Sequence, residues 1–357
     1  MTTHIWPDLL GQLLAGSDLT SAETSWAMGQ IMDGQTTGAQ FGAFVAALRA
    51  KGETATEVEG FVEQMLKHTI LVDVDGPILD VVGTGGDLAH TVNISSMSAM
   101  VAAAAGARVV KHGNRAASSQ CGSADLLAEL GVVIDLPGER VSDCVDEIGI
   151  GFCFAPVFHP SLRHAGPHRK EIGVPTVFNI LGPLANPARP DAMLVGSANL
   201  PLAPVMAQVL ADQGTSSLVV RGLDGLDEVT VFDNTQVWDV TGDRASAADD
   251  EIDISALGIA PALPEALRGG DAKENARITR AVFGGETDGP LLAVRDAVAI
   301  NAAAALVAWD SIGLSASTSD ITSRIAATLP RAHDAIESGT AQALLDRWIE
   351  VSGQLAG

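Results

Sequence analysis

Ile78-Leu-Asp80-Val-Val-Gly83-Thr-Gly-Gly86-Asp87 runs from an apolar stretch into a glycine-rich loop, and Thr91-Val-Asn93-Ile-Ser95-Ser96 follows within a few residues. Ile78, Leu79, Val81 and Val82 predict a buried strand, and the alanine-rich segment after Ser96 predicts a helix. Successive amides in such a loop point inward, and a helix N-terminus adds partial positive charge, so the pattern suits a phosphate. A plain glycine turn between strand and helix would read the same way. The spacing matches neither the Walker loop nor the dinucleotide fingerprint, because the required lysine and glycine positions are missing.

The alternation continues from this point to the middle of the chain. Further strands are predicted over 107–110, 132–134, 151–154, 192–195 and 217–220, with helical segments between most of them. That order predicts a largely parallel sheet flanked by helices. A hairpin is predicted from 229–232 and 236–240, joined around Asp233-Asn234. The acidic segment 245–270 has little pattern and reads as a surface excursion. Helices are expected over 271–283, 291–309, 319–338 and 341–352.

The first seventy residues contain no obvious chemistry. Thr20-x-x-Glu23, Thr37-x-x-Gln40 and Thr54-x-x-Glu57 each have the form of a capping box. Phe41, Phe44, Val45 and Leu48 make one apolar stripe at helical spacing, and Gly16, Gly34 and Gly52 stand where helices should stop. The expected architecture is therefore α/β, with a mainly parallel central sheet flanked by helices and a smaller all-helical domain. The helical domain is placed at residues 1–72 and the α/β domain at 73–357.

The 357 residues carry a formal charge of −23, which argues against a general nucleic-acid binder. An anionic ligand must then be met by a local cationic site. Cys121, Cys144 and Cys153 have no metal-ligand spacing and read as reduced thiols. Neither a signal peptide nor a bilayer-spanning stretch is apparent, so a cytoplasmic protein without a membrane partner is expected.

Four stretches carry candidate chemistry. Lys111-His112-Gly-Asn114-Arg115 leads into a polar loop with Ser118, Ser119 and Ser123, which suits a polyanion such as a diphosphate. Capping of the next helix by Ser123 or Asp125 explains part of that loop equally well. Asp227-Glu228 fits either a magnesium site completed by waters and phosphates or a solvated acidic turn. His159 to Gly173 gathers three histidines with Arg163, Arg169 and Lys170, suiting either a carboxylate or bulk water. Phe178 to Pro187 is a stiff loop that either walls a pocket or connects two elements.

Taken in order, these stretches resemble the anthranilate phosphoribosyltransferase family over nearly the whole chain. The shared motifs are Gly83-Thr-Gly-Gly-Asp87, Asn93-Ile-Ser-Ser96, Lys111-His-Gly-Asn-Arg115, Gly122-Ser-Ala-Asp125, Arg169-Lys-Glu-Ile-Gly173, Phe178 to Pro187 and Asp227-Glu228. Arg268-Gly-Gly-Asp271 and Asn301 to Ala305 extend the match. Ser96 stands where threonine is usual, and Gly166-Pro-His168 departs from the commoner approach to Arg169.

The resemblance implies a nucleoside phosphorylase-like fold and transfer of the phosphoribosyl group of 5-phosphoribosyl 1-diphosphate to the amine of anthranilate, a step of tryptophan biosynthesis. It places the donor on Gly83, Gly86, Asp87, Thr91, Asn93, Ile94, Ser95, Ser96, Lys111, Ser119 and Ser123. Anthranilate falls on Gly83, His112, Asn114 and Arg169. Two magnesium ions per subunit fall on Ser95, Asp227 and Glu228, and the catalytic assignments are Lys111, Asp87 and His112. It further implies a homodimer formed through the helical domain. The alternatives are a pyrimidine nucleoside phosphorylase-like enzyme and a non-catalytic paralogue.

Overall fold

A computed structural model describes residues 4–116, 119–244 and 247–357 of the chain. Seven strands form one sheet: β1 (Leu79–Gly83), β2 (Val109–Gly113), β3 (Ile150–Phe154), β4 (Ala192–Gly196), β5 (Ser216–Gly222), β6 (Thr235–Val240) and β7 (Ala248–Ile252), in the order β3-β2-β1-β4-β5-β6-β7. β1 to β5 are parallel, and β6 and β7 add antiparallel at one edge. The chain builds outward from β1 through β2 to β3, then returns to place β4 on the other side of β1. The topological switch therefore lies beside β1, where open α/β sheets bind their ligands at the carboxyl ends of the strands.

Four helices precede the sheet: α1 (Trp6–Leu14), α2 (Ser21–Met32), α3 (Gly38–Lys51) and α4 (Ala55–Lys67). All three expected capping boxes are present at α2, α3 and α4. Gly16, Gly34 and Gly52 take positive φ after α1, α2 and α3, which stops each helix without the steric cost of a Cβ. Inside the sheet region follow α5 (Ile94–Ala104), α6 (Ser123–Leu130), α7 (Gly138–Ile148), α8 (Ala155–Phe158), α9 (Gly166–Ile172), α10 (Phe178–Leu184) and α11 (Ala203–Asp212). The chain ends with α12 (Ala272–Phe283), α13 (Leu291–Asp310), α14 (Ile321–Glu337) and α15 (Thr340–Ala356).

Alternation along β4 shows how the layers assemble. Ala192 and Leu194 join a core with α5, α13 and α14, whereas Met193 and Val195 face a second core with α11 and the N-terminal helices. Phe178 and Ala165 from the middle of the chain belong to that second core, and Phe178 meets Phe41 at a centroid distance of 5.4 Å. The helical layer and one sheet face thus share continuous apolar packing. α13 is long and apolar enough to cross a bilayer by length and composition, and here it is the buried central helix of the first core.

Two expected strands fail for one physical reason, that side chains satisfy the backbone where a ladder was expected. No strand forms over 132–134, where Val133 N–H donates to Ser352 Oγ on α15. None forms over 229–232 either, because the Asn301 amide takes both Val229 N–H and Val229 C=O. β6 instead pairs with β5 and with β7, so the acidic 245–270 segment contains an edge strand. The stiff loop after Val177 contains the short helix α10.

Candidate active site

The loops at the carboxyl ends of β1 and β2, the turn after β5 and the segment from α8 to α10 surround one cavity of about 440 Å³. Each site residue that the family resemblance assigns lines it: Gly83, Gly86, Asp87, Thr91, Asn93, Ile94, Ser95, Ser96, Lys111, His112, Asn114, Ser119, Ser123, Arg169, Asp227 and Glu228. Met65 from α4 joins them, so the helical layer contributes to the wall. Ser118 lies outside the described residues.

The glycine loop is shaped by backbone that few residues tolerate. Gly85 and Gly86 have φ of 66° and 87°, and Leu88 and His90 are held at 61° and 52° despite their side chains. Strain of this kind persists where surrounding contacts over-determine it. Thr84 N–H bonds to Gly196 C=O at 2.9 Å, Gly85 N–H donates to Asp227 Oδ2 at 2.6 Å, and His90 C=O accepts from Gly269 N–H at 2.9 Å. At the start of α5, Ser95 N–H donates to Glu228 Oε1 at 3.2 Å, so a carboxylate occupies this anion-favouring position. Ile94 points into the core with 1% exposure, leaving its backbone as the part that faces the cavity. Ser96 Oγ is buried and has no hydrogen-bond partner among the described residues.

Charge is concentrated on the floor. Lys111 is buried, and its Nζ donates to Val81 C=O at 2.6 Å and to Ser95 Oγ at 3.3 Å. Burial pushes its ammonium pKa down, while the Asp80 and Glu228 carboxylates oppose that shift. Burial raises Asp227 well above the carboxylate range, with Glu228 and Asp87 adding repulsion. Glu228 is pushed up to about 8 by burial and by Asp87, against the pull of Lys111. Among the described residues no three His, Cys, Asp or Glu side chains are grouped as a metal cage. Two close, mutually repelling carboxylates still suit a hard cation whose remaining ligands are water and phosphate oxygens.

The opposite wall has a different character. Leu162, Phe178, Leu181 and Pro183 give an apolar surface, and the Arg169 guanidinium lies 5.5 Å from the Phe178 ring centroid. Arg169 has no salt-bridge partner among the described residues, and burial lowers its pKa. His112 Nδ1 sits 3.0 Å from Gly182 C=O, which only accepts, so Nδ1 carries the proton and Nε2 keeps a buried lone pair. Burial and the neighbouring His159, 4.9 Å away between ring centroids, push His112 down to about 3. Asn114 Oδ1 accepts from Arg115 N–H at 2.8 Å at the exposed rim.

The basic stretch separates on folding. Arg169 faces the cavity, whereas Arg163 and Lys170 are exposed and His168 packs on Phe41. Asp125 organises its own loop by accepting from Ala116 N–H, Gly122 N–H and Arg115, which is the capping reading of that stretch. Ser123 Oγ and Ser119 Oγ lie at the mouth and donate to Asn114 C=O and Cys121 C=O at 3.3 Å. Burial raises the Cys121 thiol to about 11, which makes it unreactive.

Sequence reasoning passed over Asp80 and the separate place of His159. Asp80 is fully buried in β1, accepts from His112 N–H at 3.3 Å and from Asn186 Nδ2 at 2.8 Å, and is raised by burial to about 6. A carboxylate inside an apolar strand was the available signal. His159 Nδ1 meets Thr69 Oγ1 at 2.8 Å, tying the pocket wall to the end of α4.

Two family models match successive parts of the chain. Residues 75–342 match a glycosyl transferase family a/b domain, and residues 7–69 match the helical bundle domain of that family. An anthranilate phosphoribosyltransferase of Saccharopolyspora erythraea is 51% identical, over 98% of this chain and 97% of the relative. The structure is similar to the crystal structure of anthranilate phosphoribosyltransferase from Thermus thermophilus, with a TM-score of 0.86 and 37% identity, covering 97% of this chain and 99% of that one. The Saccharomyces cerevisiae enzyme in complex with PRPP and Mg superposes with a TM-score of 0.85 at 28% identity, over 98% of each chain.

Proposed function

The chain belongs to the anthranilate phosphoribosyltransferases, and on that premise we propose how its cavity transfers the phosphoribosyl group of 5-phosphoribosyl 1-diphosphate to anthranilate. The observation that carries the reading is the cavity's polarity: buried carboxylates and Lys111 lie beneath a glycine loop, and Arg169, without a salt-bridge partner among the described residues, lies on the apolar wall. A diphosphate and an aromatic carboxylate need these two different surfaces.

The donor half consists of Gly83, Gly86, Asp87, Thr91, Asn93, Ile94, Ser95, Ser96, Lys111, Ser119 and Ser123. Lys111 places a buried positive charge beside Ser95, where it offsets charge on the departing diphosphate. Asp87 faces the Asp227–Glu228 pair across the loop and shares in its charge. The acceptor half consists of Gly83, His112, Asn114 and Arg169. Arg169 grips the carboxylate of anthranilate bidentately, and the Phe178 face holds the guanidinium in place.

The amine nitrogen then forms its bond to the anomeric carbon as the bond from that carbon to the diphosphate oxygen breaks and its electron pair leaves with the diphosphate. The nitrogen afterwards gives up one proton. That proton passes to water, and His112, which lines the cavity and stays neutral, offers Nε2 only as a hydrogen-bond acceptor for the amine N–H. Most of the acceleration comes from holding the two substrates in line. Ser95, Asp227 and Glu228 hold magnesium, two ions per subunit, which supplies charge compensation for the diphosphate when bound.

The division at residues 72 and 73, a homodimer formed through the helical layer and a cytoplasmic location complete the proposal. The test is loss of anthranilate fluorescence with purified protein, donor and magnesium, against a chelator control. Loss that needs both donor and metal is expected. Folded protein that leaves the signal unchanged with intact donor would refute the transfer.

A further inference from the structure

Asn275 on α12 is 2% exposed and does not line the cavity. Its Oδ1 accepts from Gly270 N–H at 2.8 Å, and its Nδ2 donates to Asn93 Oδ1 at 2.8 Å. Asn93 Nδ2 in turn donates to Cys121 C=O at 3.0 Å. Both ends of this relay are backbone groups, an N–H that only donates and a C=O that only accepts. The two amides between them therefore have a single orientation in which all three bonds exist.

The relay joins three loops that are far apart in sequence. One carries Arg268-Gly-Gly-Asp271, one is the glycine loop ending at Asn93, and one holds Ser119 and Ser123. The first two are also stitched by backbone, through Val92 N–H to Leu267 C=O and Gly269 N–H to His90 C=O, both 2.9 Å. A Cβ at Gly269 would stand 2.8 Å from both Thr91 O and Asn275 Oδ1, so the glycine is what permits this approach.

We propose that Asn275 is a positioning residue for the donor half of the cavity: it fixes the orientation of the Asn93 amide and ties it to the serine loop. This rests on the donor reading given above. Asn275→Asp tests the direction of the relay. The shape is kept, but the second carboxylate oxygen cannot donate to Asn93 Oδ1. If Asn93 turns over to compensate, its own oxygen faces Cys121 C=O, so one pair of acceptors stays opposed in either orientation.

The expected result is a KM for phosphoribosyl diphosphate raised about tenfold or more, with the KM for anthranilate within about twofold of the parent enzyme and a retained thermal transition. Asn275→Ala, which opposes no acceptors, should show the same split to a smaller extent and serves if the aspartate variant does not fold. A wild-type KM pair in Asn275→Asp would overturn the role. So would equal rises in both constants that track a lowered Tm, or a folded Asn275→Ala with unchanged constants. Turnover by the parent enzyme checks the donor reading separately. If the parent shows none, calorimetric titration with inorganic diphosphate and magnesium chloride compares the same proteins, and equal affinities refute the relay.

Discussion

Gly83→Ala tests the geometry at the centre of the site. A Cβ built on Gly83 would stand 2.5 Å from Asp227 Oδ2, 3.2 Å from Asp227 Cγ and 3.3 Å from Asp227 O. Ordinary contact begins near 3.4 Å, so the carboxylate oxygen must retreat by about 0.9 Å. Turning the carboxylate does not suffice, because Cγ and the backbone oxygen are also tight. The same Oδ2 accepts Gly85 N–H at 2.6 Å, and a retreat of that size removes the bond. A hydrogen bond to a charged group is worth roughly 1.5–3 kcal/mol, which corresponds to about 10- to 150-fold where the lost contact places a reacting group. Gly83 lies outside the left-handed region, so alanine brings no backbone strain and the fold should persist. The assay is kcat/KM for the donor across a magnesium series, with a thermal melt of each protein. We expect a loss of about 10- to 100-fold, a half-saturating magnesium concentration raised by about the same factor, and a Tm within about 3 °C. Parent-like kcat/KM and metal dependence would refute the placement of Asp227 as a ligand poised against Gly83.

Two further perturbations separate the halves of the cavity and its wall. Arg169→Ala should raise the KM for anthranilate about 30-fold or more while changing that of the donor by less than about threefold, and equal rises would remove the carboxylate assignment. His159→Gln reads a pH effect whose sign is fixed: burial lowers His159 to about 4, so below the ordinary pKa of 6.5 the unfolded chain binds the proton and the folded chain does not. Stability therefore falls as pH drops from about 6.5 toward 4, and the variant should lose roughly 2 kcal/mol less than the parent between pH 7 and pH 5 in denaturant melts. Parallel pH profiles would show that His159 is not held neutral.

The glycine loop, the serine loop and the carboxylate pair each left a plain alternative when read alone, and only their order along the chain gathered them into one expectation. The parallel sheet then brings these loops around one cavity. The strand expectation at 132–134 and the hairpin at 229–232 failed because apolar runs report burial and do not report which group pairs the backbone. Ser352 and Asn301, far along the chain, supply those partners. β7 was missed for the opposite reason. Ala248-Asp-Asp-Glu-Ile252 is an edge strand whose charges guard an open ladder and hide its alternation. Asn275 was equally invisible, since its partner Asn93 is brought close only by the fold.

The charge of the floor explains how an acidic protein takes a polyanion. Asp80 and Glu228 act on the buried Lys111, Glu228 and Asp87 raise Asp227, and Asp87 raises Glu228, each in addition to burial. One buried lysine among several carboxylates gives a bare diphosphate little net attraction, and ionising the raised carboxylates weakens it further. On the proposal above, magnesium held by Ser95, Asp227 and Glu228 would offset that charge for the diphosphate. Recognition of the polyanion then rests, on that proposal, on this local site rather than on the net charge of −23. Asp80 stands apart from this exchange: it accepts from His112 N–H and Asn186 Nδ2, and its charge and that of Lys111 favour one another. The chelator arm of the turnover assay reads the argument directly, since turnover that survives removal of divalent ions would mean that the floor is neutralised in some other way.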